Sequence, residues 1–403
     1  MASPKPAFAQ SLPRLDSLDA YRGFVMFLMM AEVLHLGHVA GSFPESETWK
    51  WLKFATTHVE WGGCSLHDLI QPSFSFLVGV SLPFSIASRQ MKGQSFLRML
   101  FHALWRAVLL TFLGVFLRSS GRAQTNFTFE DTLSQIGLGY VFLFLLGWVK
   151  IRWQVVSAIL ILVGYWAAFA LYPAPGPDFP YSDVGVPADW KFHHEGFAAH
   201  WNKNSNLAWK FDTWFLNLFP REKPFTHNGG GYATLSFIPT LGTMVLGLIA
   251  GGWLKMEVPK ARKVLYLLGA AAVCFAIGFL LDYFGICPSV KKIWTPSWAL
   301  LSGGWCFVML AGFYTLVDGF GWWIPAYPLI VIGANSIAAY CMAHWFEGNI
   351  AQSFKTNLAM FFGPDCFKVF GDVWEPLVRG ACVLLVFWLI LLWMYRKRVF
   401  IRI

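Results

Sequence analysis

Apolar residues fall along this chain in runs near twenty residues long, separated by short polar or basic stretches. A run of that length is what an α-helix needs to cross a hydrocarbon core of about 30 Å, at about 1.5 Å per residue. Ten such runs are read, at about 19–40, 67–88, 98–118, 132–149, 153–172, 232–254, 263–284, 296–317, 325–346 and 376–395. The pattern predicts an all-α polytopic membrane protein with about ten transmembrane helices, forming one domain over 1–403. Three intervening segments, at about 41–66, 173–231 and 347–375, are long enough to be outward loops. No internal repeat of the transporter kind is evident.

The first 17 residues are polar and contain Pro4, Pro6 and Pro13. The apolar run that follows lacks a small-residue cleavage site and is too long for a signal-peptide core, so it is read as a retained helix.

Composition agrees: 56% of residues are hydrophobic and 13% charged, against about 25% charged in soluble domains. The net charge of +9 is not a nucleic-acid signature, because the basic residues are grouped. Lys5, Arg14 and Arg22 flank the first run; Arg89, Lys92, Arg98 and Arg106 follow the second; Lys150 and Arg152 follow the fourth. Lys255, Lys260, Arg262 and Lys263 form another group, and Arg396, Lys397 and Arg398 the last. These groups fall in alternate loops, and Lys and Arg concentrate in cytoplasmic loops. Both termini are therefore expected in the cytoplasm, with membrane lipids as neighbours and no nucleic-acid partner. Of seven cysteines, only Cys64, Cys287 and Cys366 fall in outward loops, which allows at most one disulfide.

Ionisable groups inside membrane runs are expensive and face a cavity or a partner. Glu32, His35 and His38 recur at three-residue spacing, which puts them on one face of the first helix. A carboxylate and two imidazoles can hold zinc, but no second cluster completes a site, and no metal is expected. Ser17 can cap that helix, Asp19 complements its positive end, and Arg22 either meets a phosphate or pairs with Asp19. His102 and Arg106 share a face; Gln135, Asn335, His344 and Glu347 are the other polar residues at membrane depth or at helix ends.

The densest stretch is His58-Val-Glu-Trp61-Gly-Gly-Cys64-Ser-Leu-His67-Asp68, running into the second helix. Trp61-Gly62-Gly63 makes a tight turn, and Asp68 stands at a helix start, where a carboxylate is favoured. The turn folds an imidazole back toward Asp68, an arrangement that orients a general base. By spacing alone, His58 and His67 are equal candidates. The second loop adds Trp190, His193, His194, His200, Trp201, Trp209 and Trp214, a composition that suits either a sugar face or the membrane interface.

The same residues carry a family resemblance. Arg14-Leu-Asp-Ser-Leu-Asp-Ala-Tyr-Arg-Gly23, the His58–Gly79 stretch, Thr132-Leu-Ser-Gln-Ile-Gly137, Thr234–Gly251, Pro288-Ser-Val-Lys-Lys-Ile-Trp-Thr-Pro-Ser297 and Ile332-Gly-Ala-Asn335 occur in order along the whole chain. Together they resemble the heparan-α-glucosaminide N-acetyltransferase family and its bacterial relatives. The resemblance implies transfer of an acetyl group from cytosolic acetyl-CoA, as co-substrate, to an amino sugar or other glycan on the far side of the membrane. For a bacterial relative that membrane is the inner one, and a homodimer is allowed. It implies that His58, rather than His67, is the base or acetyl carrier, with Asp68 holding it. On this reading Arg22, Arg106 and Gln135 serve the CoA, while Glu32, His35, Trp61, Lys292 and Asn335 serve the acceptor; Lys291 or Lys292 meets an oxyanion or a substrate charge.

Three departures from the family pattern bear on acceptor choice: Glu32 and His35 near an asparagine position, Gln135 without the arginine expected beside it, and Gly62 where asparagine is usual. The rivals are a glycoconjugate transporter or flippase, and a sugar O-acetyltransferase. An O-acetyltransferase of the acyltransferase type three family pairs an arginine with a histidine eleven residues on, whereas Arg22 here pairs in register with Val33.

Overall fold

The computed structural model describes residues 15–363 and 365–401, so Lys5, Arg14 and the N-terminal prolines lie outside the described residues. The described chain folds as α1 Asp16–Met30, α2 Leu36–Gly41, α3 Glu47–Ala55, α4 Ile70–Met91, α5 Phe96–Ser119, α6 Thr132–Leu146, α7 Ile151–Leu171 and α8 Leu207–Phe215. It continues with α9 Phe237–Lys255, α10 Lys260–Tyr283, α11 Pro296–Phe313, α12 Trp323–Ala334, α13 Ser336–Trp345, α14 Glu347–Phe362 and α15 Glu375–Arg396. Eight of the ten expected runs each fall on one helix, and the first and ninth fall on broken ones. Among the described residues, seven helical segments are long and apolar enough to cross a membrane, and α12 with α13 makes an eighth if the pair is one bent span. The chain is an integral membrane protein.

Two expected spans are not continuous. The first run breaks after Met30 into a 3-10 turn, Ala31–Leu34, and His35 adopts the left-handed conformation at φ 47°. Glu32 and His35 therefore leave the common face that helical spacing predicts. The ninth run breaks at Asn335, where the axis bends by 70°. The Asn335 side chain ties this break to the segment after α15: its amide donates to the Val399 carbonyl at 3.1 Å, and its oxygen accepts from the Ile401 amide. The expected loops also carry helices, α3 in the first, α8 in the second and α14 in the third.

The bundle is held where backbones touch. A Cβ built on Gly79 of α4 would fall on the Met244 carbonyl of α9, one on Gly247 would fall on Phe76, and one on Gly251 on Val80. Small residues four apart let two membrane helices close to backbone contact, where dispersion replaces the missing hydrophobic drive. Gly79→Val is expected to lower the melting temperature of the detergent-purified protein by several degrees or to prevent its accumulation, since overpacking costs about 1–3 kcal/mol or more. Gly164→Ala, with nothing near its Cβ, is the matched control.

A second cluster caps one end of this bundle. Trp61, Tyr165, Phe169, Trp201, Ala208, Ala233, Cys287, Val290 and Ile293 pack together, joining the 58–66 turn to the 173–231 segment and the 286–295 segment. A β-bridge between Gly62 and Val290 pins the last of these beside the first. Asn204 (φ 51°) ties its own segment together by donating to the carbonyls of Val184 and Asn228.

Candidate functional site

α3 ends at Ala55, and Thr57-His58 leave it toward the start of α4. Gly63, at φ 105°, permits the turn that reverses the chain, a conformation open to glycine and costly for other residues. Asp68 lies in the 3-10 turn His67–Leu69 that leads into α4, and it is buried. Its Oδ2 accepts from the Ser65 amide at 3.0 Å and from the Val59 amide at 3.3 Å. The Ser65 hydroxyl sits 2.9 Å from the same oxygen and 2.7 Å from the Thr57 carbonyl, and donates to one at a time. The carboxylate thus stitches both arms of the turn together.

Its other oxygen faces two nitrogens. His58 Nδ1 is 2.9 Å from Asp68 Oδ1, and the Lys291 ammonium is 2.9 Å from that oxygen and 3.0 Å from His58 Nδ1. A single Nδ1 cannot donate to the carboxylate and accept from the ammonium together. Asp68 is acceptor-only and buried, so the arrangement that satisfies it fully has Nδ1–H donating, with the lone pair left on Nε2. Burial pushes the His58 pKa below the usual histidine range; the Asp68 hydrogen bond opposes this, and the Lys291 charge adds to it. This shift favours the neutral imidazole, and the His58 side chain keeps 44% exposure. That is the state a base or nucleophile requires.

His67 is part of the same cluster. Its ring centre lies 4.6 Å from that of His58, the two planes tilted by 50°, and its Nε2 lies 2.8 Å from Glu32 Oε1. His67 is buried, so the exposed imidazole is that of His58. Burial pushes the neighbouring Cys64 thiol up to about 12, which leaves it without a thiolate to compete as nucleophile. Cys64, Cys287 and Cys366 are all free, so the allowed disulfide does not form among them. An apolar cavity of about 460 Å³ borders Cys64 and Ser65 and continues past Leu69 to Phe24, Met309 and Leu316.

Several expected site residues lie elsewhere or act differently. Trp61 is fully buried beneath Gly231 and serves as a wall, with no face open for stacking on a sugar. His35 turns to Glu347, 3.9 Å away, rather than to His58. Asn335 is anchored to the segment beyond the C-terminal end of α15, whereas Glu32 is next to Val33, which packs on Gly380 near the start of α15. It therefore belongs to the opposite end of the bundle. Arg22 donates to Asp19 at 3.0 Å and to Ser81 at 2.8 Å. Ser81 is eleven residues along α4 from its start, about 16 Å from the His58 end. Arg106 donates to the Tyr140 hydroxyl, and Gln135 donates to the backbone of Phe129, Ala233 and Thr234, so both brace neighbouring segments. Lys292 donates to the Tyr232 hydroxyl at 2.8 Å. Lys291 is the partner that sequence reasoning left beside Lys292 without a choice; two lysines between apolar residues were the signal, and only folding separates them.

No family model matches the chain. It is 24% identical over 385 residues to human heparan-alpha-glucosaminide N-acetyltransferase, an alignment covering 85% of this chain and 54% of the human one. The mouse protein of the same name is 24% identical over 369 residues, covering 82% of this chain and 53% of its own. The relationship is a distant one. The chain spans about half the length of the curated relatives it matches.

Proposed function

We propose that the protein is a membrane N-acetyltransferase that moves an acetyl group from acetyl-CoA to the amine of an amino sugar or other glycan, with His58 at the centre. The observation that carries this reading is the buried Asp68 holding Nδ1 of His58 while Lys291 stands 3.0 Å from that nitrogen. The relatives' shared name supports an amino-sugar acceptor.

In the direct route, Nε2 takes a proton from the acceptor nitrogen as that nitrogen attacks the thioester carbonyl. The carbon–sulfur bond then breaks, and the CoA thiolate leaves with the proton. In the carrier route, Nε2 itself attacks the thioester carbonyl, and the carbon–sulfur bond breaks to release the CoA thiolate. The amine then attacks the acetyl-imidazolium, the carbon–Nε2 bond breaks to restore the imidazole, and the proton lost by the amine ends on the thiolate. Either route needs the lone pair on Nε2, and in both Asp68 stabilises the imidazole as positive charge develops on it. Acetyl-CoA approaches from the cytosol past the basic turn at 89–98, and its pantetheine arm reaches toward the His58 end. Arg22, about 16 Å away, is within the span of one extended arm.

Purified protein with labelled acetyl-CoA and glucosamine, assayed for N-acetylglucosamine, tests the reading. Movement of a glycoconjugate across vesicles with no acetyl transfer would instead support a transporter. A lowered His58 pKa also sets the pH profile. Protonation silences Nε2, so kcat/KM rises with pH, and its acid limb is expected below the ordinary histidine value of about 6.5. Lys291→Met removes a positive neighbour that opposes the imidazolium, and should move that limb to higher pH; an unmoved limb would argue that another group sets it.

A further inference from the structure

The apolar cavity of about 460 Å³ that borders Ser65 plays no part in the steps above. Its long wall is one face of α11 and the π-turn after it, where Trp305, Met309, Gly312 and Leu316 follow at helical spacing. That wall is about 16 Å long at 1.5 Å per residue. Facing it is Phe24 of α1, whose ring meets that of Phe313 at 5.6 Å. The segment Pro296–Gly319 is long and apolar enough to cross a membrane, and the wall lies in its second half. Trp305 and Leu316 keep 46% and 40% exposure there, and Gly312 is exposed. Exposure at that depth means contact with hydrocarbon, so the cavity is a groove that opens sideways to the bilayer.

The groove changes character at its other end, where Cys64 and Ser65 bring a thiol and a hydroxyl. The Ser65 hydroxyl lies 2.9 Å from Asp68 Oδ2, and Asp68 Oδ1 lies 2.9 Å from His58 Nδ1. The groove is thus continuous with the site and ends two hydrogen bonds from His58. An occupant must match this gradient with a hydrocarbon tail and a polar head. The pantetheine arm of CoA does not match it, because its amides would lose water along a wall that offers them little beyond the Trp305 indole. An acetyl group is too short to need it. The other substrate, the acceptor, is the one left to carry a tail.

We infer that the acceptor is a lipid-linked amino sugar, whose hydrocarbon tail lies in this groove while its sugar head stands at His58. A tail already in the bilayer gains little hydrophobic free energy by entering the groove. What it gains is position, since a seated tail raises the effective concentration of the head at the imidazole. The inference rests on the acetyl-transfer reading for turnover, but not for the seating of the tail. Gly312 supplies the means to test it: nothing lies within 4 Å of a Cβ built there, so a side chain enters the groove without meeting a neighbour.

Two measurements on the full-length protein in phosphatidylcholine nanodiscs test it. In the first, which needs no turnover, dodecyl glucosaminide with a diazirine in its tail should label α11 between Trp305 and Leu316. Excess dodecyl glucosaminide should remove the label, dodecanol should not, and Gly312→Leu should abolish it. In the second, kcat/KM is compared for dodecyl glucosaminide and free glucosamine. Gly312→Leu should lower that ratio by at least about tenfold, and the smaller Gly312→Ala by less. Partitioning of the tail into the nanodisc is the same for every variant, so the change in ratio reports the groove. Labelling elsewhere, equal competition by dodecanol, or a ratio that Gly312→Leu leaves unchanged would overturn the lipid-linked acceptor. A rise confined to the KM for acetyl-CoA would overturn it as well and give the groove to the donor. Labelling and competition as expected, with no acetyl transfer to either acceptor, would sink only the transfer reaction.

Discussion

His58→Ala is expected to lower acetyl transfer by at least about a thousandfold while the purified protein melts where the parent does. The fold should tolerate the change because the imidazole is half-exposed and Asp68 keeps its other partners, the Lys291 ammonium and the amides of Val59 and Ser65. Removing the ring takes away the group whose Nε2 lone pair both routes need. Incubation with labelled acetyl-CoA and no acceptor separates the routes, since a carrier retains label on the parent protein and none on the variant. Turnover retained in a clean preparation of the variant would remove His58 from the chemistry.

The second large effect is at Asp68. Asp68→Asn preserves shape but removes the charge that orients Nδ1–H and offsets the imidazolium as it forms. By analogy with carboxylate–histidine pairs elsewhere, kcat should fall by about a hundredfold to ten-thousandfold. The variant also leaves Lys291, only 3% exposed, without its anion, and breaking such a buried pair costs about 3–5 kcal/mol. A drop in melting temperature alone would therefore be ambiguous. The double variant Asp68→Asn with Lys291→Met should recover much of the stability and none of the rate. If the double variant recovers activity as well, the role of Asp68 is structural.

The two relatives bear on these expectations through their alignment with most of this chain. Both relatives bear the name heparan-alpha-glucosaminide N-acetyltransferase. The polar geometry is densest around the His58–Asp68 stretch, where five side chains, Glu32, His67, His58, Asp68 and Lys291, are linked in one chain of contacts. Glu32 reaches this network because the first helix breaks after Met30, and His35 leaves it for the same reason.

Length and period alone determined that apolar runs would be membrane helices, because a hydrocarbon core admits few other backbone arrangements. The density of ionisable groups between His58 and Asp68 marked the candidate site, since such groups near a membrane helix are expensive unless they have work and partners. The choice between two equal histidines was not decided by spacing. Tertiary structure sets the two apart physically, in line with the proposal for His58: His67 is buried against Glu32, whereas His58 is held at one nitrogen and half-exposed. Only folding could bring Lys291 across 223 residues to Asp68, or turn Asn335 into a brace for the C-terminal segment. It also put Trp61 inside a wall. Those outcomes depend on which helix ends meet, and that is set by glycine-lined backbone contacts and helix breaks that carry no period in the sequence.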